Sequence, residues 1–137
     1  MTHDAPFPVH IAIQTADFDV SAELAALRAQ DPRVGAVCCF VGTVRDRHGP
    51  STPAPDEAVA SLELEHYPGM TEKAIAAMVE EARQRFAILG ARIIHRVGLL
   101  APLEQIVLVA VSSPHRGESF QACEFLMDYL KTQAPFW

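Results

Sequence analysis

Between Val34 and Val44 the chain is a near-continuous apolar run, Val-Gly-Ala-Val-Cys-Cys-Phe-Val-Gly-Thr-Val. Such a run suits a β-strand buried on both faces, which demands a sheet with packed layers around it. The flanking segments supply those layers. Val9 to Gln14 alternates weakly and reads as a first strand. Asp19 is placed to cap a helix through Glu23, Leu24, Leu27 and Arg28 that ends near Asp31-Pro32. After the long run, residues 46–57 carry Gly49, Pro50, Pro53 and Pro55 and read as a mobile loop.

Leu62, Leu64 and His66 alternate with Glu63 and Glu65, the pattern of a strand with one dry face. Pro68 suits the first turn of a helix whose apolar stripe runs Ala74, Ile75, Met78, Ala82 and Phe86, with Gly90 as its stop. Arg92–Val97 and Ile106–Ser112 read as two further strands, with a turn at Ala101-Pro102. A last helix starts near Ser113-Pro114 or Ser119 and runs to about Thr132. The predicted order is β-α-β-β-α-β-β-α: an α+β fold, a mixed sheet with helices packed on it, in a single domain over residues 1–137.

Composition narrows the function classes. The formal net charge is −6, so nucleic acid is not an expected partner without a segregated basic face. No apolar run approaches the ~20 residues that span a bilayer, and the start lacks a secretory pattern, so no membrane is expected and the cytoplasm is the default. An acidic average still permits a small anion site, which a few convergent arginines can build. Cys38, Cys39 and Cys123 have neither zinc-ligand nor C-x-x-C spacing and read as buried packing residues. No metal or cofactor is expected.

Chemistry concentrates near the end of the chain. Lys131 is one of two lysines, with Lys73. It shares a helix face with Phe120, Cys123 and Met127, where an amine screened from water is suited to proton transfer or oxyanion stabilisation. The plainer reading is a lysine complementing a helix C-terminus. Arg45 closes the apolar strand where it meets the loop; a surface pair with Asp46 is the plainer reading there. His115 and Arg116 stand at a helix start, where N–H groups, guanidinium and imidazole make an anion seat; simple capping is the alternative. His66 and His95 read as core histidines. Pro135-Phe136-Trp137 suits a lid, a partner contact or an anchor.

Several segments in register resemble one family. They are Phe40-Val41-Gly42-Thr43-Val44-Arg45, Leu64-Glu65-His66-Tyr67-Pro68-Gly69-Met70-Thr71-Glu72-Lys73, Ile94-His95-Arg96-Val97-Gly98, Ser113-Pro114-His115-Arg116 and Met127 to Trp137. Together they resemble the large, catalytic subunit of molybdopterin synthase, from about Val34 onward. The resemblance implies an α/β-hammerhead fold and a homodimer within a heterotetramer. It implies sulfur transfer from the C-terminal Gly-Gly thiocarboxylate of a small ubiquitin-like partner to cyclic pyranopterin monophosphate, forming the dithiolene of molybdopterin. By motif, Lys131 would be the catalytic lysine. Arg45, His115 and Arg116 would hold phosphate and pterin, with Phe40 and Met127 shaping the pocket. The family pattern continues past Phe-Trp into a second lysine and a basic tail, whereas this sequence stops at Trp137: either a further segment follows, or the chain is truncated and catalytically impaired. The rival reading is a non-catalytic dimeric module that binds a ubiquitin-like tail or a phosphate ligand.

Spacing adds one expectation. Arg116 and Lys131 lie fifteen residues apart on what reads as one helix, so their backbones would be roughly 22 Å apart. A monophosphorylated pterin is about half that long. A site using both therefore needs two copies of the chain.

Overall fold

The computed structural model describes residues 7–29, 31–45, 60–62 and 70–133. The elements are β1 (Val9–Gln14), α1 (Val20–Arg28), β2 (Ala36–Thr43), β3 (Ala60–Leu62), α2 (Met70–Arg85), β4 (Gly90–Arg96), β5 (Gly98–Leu100), β6 (Gln105–Ser113) and α3 (Arg116–Gln133). Four strands form one sheet in the order β1-β4-β6-β2, and β3 pairs with β5 in a separate ribbon. β1 runs parallel to β4, whereas β2 and β4 both run antiparallel to β6, so the main sheet is mixed.

Helices cover both faces. On one, Ile93, Val107, Val109 and Val111 meet Ile75, Val79 and Ala82 of α2 and Ala122, Leu126 and Leu130 of α3. On the other, Ile94, Leu108 and Ala110 meet Phe18 and Leu27 at α1. The central pair β4–β6 is thus apolar on both faces, with six consecutive residues of β6, Ile106–Val111, at 0 % exposure. Asp19 caps α1 as expected, its Oδ1 accepting from Ala22 N at 3.1 Å.

Three expectations change. The Val34–Val44 run does form a strand, but β2 is a sheet edge and most of its residues are only half-buried. The strand buried on both faces is β6. Gly90 does not stop α2, which ends at Arg85; it opens β4. There a Cβ would press on the Leu27 side chain and on Pro8 at 3.1 Å, so the glycine serves close packing. β5 was not foreseen, since three residues are too few to carry a period. The whole 46–57 loop, most of the 64–73 motif with His66, and residues 134–137 lie outside the described residues. No helix among the described residues is long and apolar enough to cross a membrane.

Arg96, 7 % exposed, fastens the lower end of the sheet. Its guanidinium donates to Thr15 O at 3.1 and 3.2 Å, to Gln105 O at 2.9 Å and to Glu104 Oε1 at 3.3 Å. A buried guanidinium needs such partners, because an unpaired one would be strongly destabilising.

Candidate active site

The expected site residues fall at two poles of the β2–β6 ladder. Ala36 pairs with Ser113 and Thr43 with Gln105, so seven residue steps, roughly 23 Å, separate the ends. His115 and Arg116 follow Ser113 at one end, and Arg45 follows Thr43 at the other.

At the first pole, a cleft of about 520 Å³ is lined by Gly35, Ala36, Pro114, His115, Arg116, Gly117 and Glu118. α3 begins at Arg116, so its first N–H groups and the positive end of its dipole face this region. Ser113 Oγ donates to His115 O at 2.5 Å and Ser119 Oγ to Arg116 O at 3.0 Å, which hold the turn. Gly35 lies against this turn so closely that a Cβ there would collide with Pro114 O. His115 and Arg116 are both exposed. Glu118 lines the same cleft with Oε1 buried and without a hydrogen-bond partner among the described residues. A carboxylate there opposes an anion but complements the helix dipole.

At the second pole, a turn fixes where Arg45 emerges. Leu103 N donates to Val44 O at 2.8 Å and Val44 N to Glu104 O at 3.0 Å. Leu103 adopts φ 76°, an uncommon left-handed conformation for a leucine, and Glu104 Oε2 closes the turn by accepting from Ala101 N at 2.8 Å. Arg45 is exposed just past this lock. α3 returns toward the same pole. Cys123 Sγ sits 3.7 Å from Val109 O, midway along β6. Eight further residues, roughly 12 Å of helix, bring Lys131 level with the start of β6. Between the poles, Phe40 and Met127 are half-buried against the main core, with Met127 Sδ 3.9 Å from Cys123 Sγ.

The structure therefore groups Arg45 with Lys131 and His115 with Arg116, and one chain does not bring the two groups together. The apolar face expected for Lys131 also needs correction. Phe120 is 60 % exposed and Lys131 is exposed, whereas the buried stripe of α3 is Ser119, Ala122, Cys123, Leu126 and Leu130. The thiols divide likewise. Cys123 is buried and its thiol is held well above the usual range, first by burial and then by Cys38. Cys39, expected to be buried, is exposed on the edge strand. Its thiol is also raised, by partial desolvation and then by Cys38, and so disfavours the reactive thiolate. Among the described residues no group of three or more His, Cys, Asp or Glu could hold a metal.

A family model described as "MoaE protein" matches residues 13–133, a span holding both poles. The chain belongs to the MoaE family. Among curated MoaE relatives, the molybdopterin synthase catalytic subunit of Ralstonia nicotianae is 60% identical over 127 residues, covering 93% of this chain and 69% of that protein. The solved structure of the molybdopterin biosynthesis MoaE protein from Burkholderia ambifaria superposes with a TM-score of 0.78 at 56% identity, covering 94% of this chain and 80% of that one. Molybdopterin synthase from Staphylococcus aureus matches at a TM-score of 0.71 and 28% identity, over 89% and 83% of the two chains. The mixed α+β architecture is thus a MoaE-family fold.

Sequence reading missed the elements that aim the site residues. The Arg96 tether and the Leu103–Glu104 turn work through backbone carbonyls from three separate segments. No local signal announces such contacts.

Proposed function

We propose that this chain is the catalytic subunit of a molybdopterin synthase, a sulfurtransferase of molybdenum cofactor biosynthesis. The observation that carries the reading is the MoaE-family match over residues 13–133, which includes Phe40, Arg45, His115, Arg116, Met127 and Lys131. The partner is a small ubiquitin-like subunit ending in a Gly-Gly thiocarboxylate, and the substrate is cyclic pyranopterin monophosphate. The thiocarboxylate brings the nucleophilic sulfur, so the chain itself needs no thiolate. That agrees with the raised Cys39 and Cys123 thiols.

The roles follow from position. His115, Arg116 and the α3 N-terminus form the seat for the substrate phosphate, a charge-assisted site of ordinary helix-terminus type. Lys131 and Arg45 form the second cationic group, which stabilises charge developing on the acyl and pterin oxygens. Lys131 can also carry a proton. Phe40 and Met127 wall the pocket between them. Because the two groups stand about 23 Å apart along one ladder, each site draws its phosphate seat from one copy and its lysine from a second.

The test is reconstitution with thiocarboxylated partner and cyclic pyranopterin monophosphate, reading dithiolene formation. Product is expected. Binding of both ligands without product would favour the rival, a non-catalytic module.

A further inference from the structure

Between the two poles lies a group of sulfur atoms that sulfur transfer does not use. Strand alternation sends Cys38 and Phe40 of β2 toward the α2–α3 layer, and Val37 and Val41 toward α1. Cys38 pairs with Val111, while Cys123 rests on Val109 O, so both thiols lie over the same stretch of β6. They meet in a side-chain hydrogen bond. Met127, one turn after Cys123 on α3, completes the group with its Sδ 3.9 Å from Cys123 Sγ.

A buried cysteine is usually a small apolar side chain, and one alone would carry nothing more. Here three sulfurs from two elements converge. Sulfurs bound at ~2.3 Å to one first-row metal ion in a trigonal plane stand roughly 4 Å apart, which matches the Cys123–Met127 separation of 3.9 Å. Cys123 is sealed in the apolar core, whereas Cys38 and Met127 are half-buried and leave a route from the surface. The donors select the ion. Two thiolates and a thioether are soft ligands suited to Cu(I), while Zn(II) asks for four ligands. Only two of the three donors are of the His, Cys, Asp and Glu kinds, so the group differs from an ordinary zinc or iron cluster.

We propose that Cys38, Cys123 and Met127 form a three-coordinate site for Cu(I). As the ion binds, each thiol releases its proton to solvent and forms a sulfur–copper bond. The thioether adds a lone pair, and the copper stays Cu(I) throughout. Two thiolates and one monovalent cation leave a single negative charge, toward the half-buried side of the group. The site goes beyond the sulfur-transfer reading and does not depend on it; only Met127 is shared with the proposed pocket wall.

The test is anaerobic titration of the whole chain with Cu(I) against a Cu(I)-specific chelator, bathocuproine disulfonate. One ion per chain should be held, and X-ray absorption should show three sulfur neighbours. Cys38→Ser and Cys123→Ser should each weaken binding on the order of 100-fold or more, since loss of a mere supporting contact already costs up to that much. Cys39→Ser should bind within a few fold of wild type. Met127→Leu, which conserves volume, should reduce the neighbours from three sulfurs to two. Circular dichroism monitors the fold of each variant; if Cys123→Ser does not fold, Cys38→Ser and Met127→Leu decide. A wild type that yields its copper as readily as Cys38→Ser, binding lost with Cys39, or three sulfurs kept in Met127→Leu would each overturn the proposal. So would Zn(II) held as tightly as Cu(I).

Discussion

Lys131 is exposed at the end of α3, where a cation complements the four unsatisfied carbonyls of the last turn. In the proposed site its ammonium also faces the thiocarboxylate. Lys131→Ala should lower dithiolene formation by ~10²–10⁴ while thermal unfolding stays near wild type. Activity close to wild type would remove Lys131 from the reaction. His95 is the contrasting case. It is 1 % exposed, its Nδ1 lies 2.7 Å from Arg96 O, and its Nε2 has no partner among the described residues. Nδ1–H therefore donates to the carbonyl, and Nε2 keeps a bare lone pair. Burial holds the imidazole below its usual range, outweighing the backbone hydrogen bond. The unfolded chain then binds the proton first. Stability is full above pH ~6.5 and falls as the pH is lowered below it. Urea unfolding at pH 7.5 and 5.5 should show the loss, and His95→Gln should flatten it. An equal slope in the variant would assign the effect to other groups.

At the scale of elements, α3 does two jobs with two faces. Ser119, Ala122, Cys123, Leu126 and Leu130 seal the core, and its two ends carry the cations Arg116 and Lys131. In the proposed site the N-terminus offers N–H groups to an anion, and the C-terminus carries Lys131. Arg116→Ala should weaken binding of the phosphorylated pterin by about 10–100-fold, the worth of one or two charge-assisted hydrogen bonds. Arg45→Ala, past the Leu103–Glu104 turn, should do the same. Both should leave affinity for the protein partner within a few fold. Titration of each variant with both ligands checks this, and equal losses for the two ligands would contradict the assignment.

For the whole molecule, the consequence of the proposed split site is complementation. Lys131→Ala and Arg116→Ala chains should each be nearly inactive. After subunit exchange half the dimers are mixed, and each mixed dimer holds one intact site of two, so about a quarter of wild-type activity should return. No recovery despite proven exchange would mean that each site is assembled within one chain.

Local chemistry made much of this legible in the sequence. The Asp19 cap, the α2 stripe of Ile75, Met78 and Ala82, and the α+β order are written in spacings of a few residues. The residues of the proposed site, Lys131, Arg45, His115 and Arg116, were assigned through the family resemblance, because local pattern alone favoured plainer readings for Lys131 at a helix end and Arg45 beside Asp46. Placement was not readable. The apolar β2 run looks the same whether a strand, a helix or a second subunit covers it, so nothing local told the edge from the centre. Nor could spacing show that Arg45 and His115, each beside the β2–β6 ladder, stand at its opposite ends. Antiparallel pairing of strands more than sixty residues apart set that distance, and only the tertiary structure fixes such a pairing.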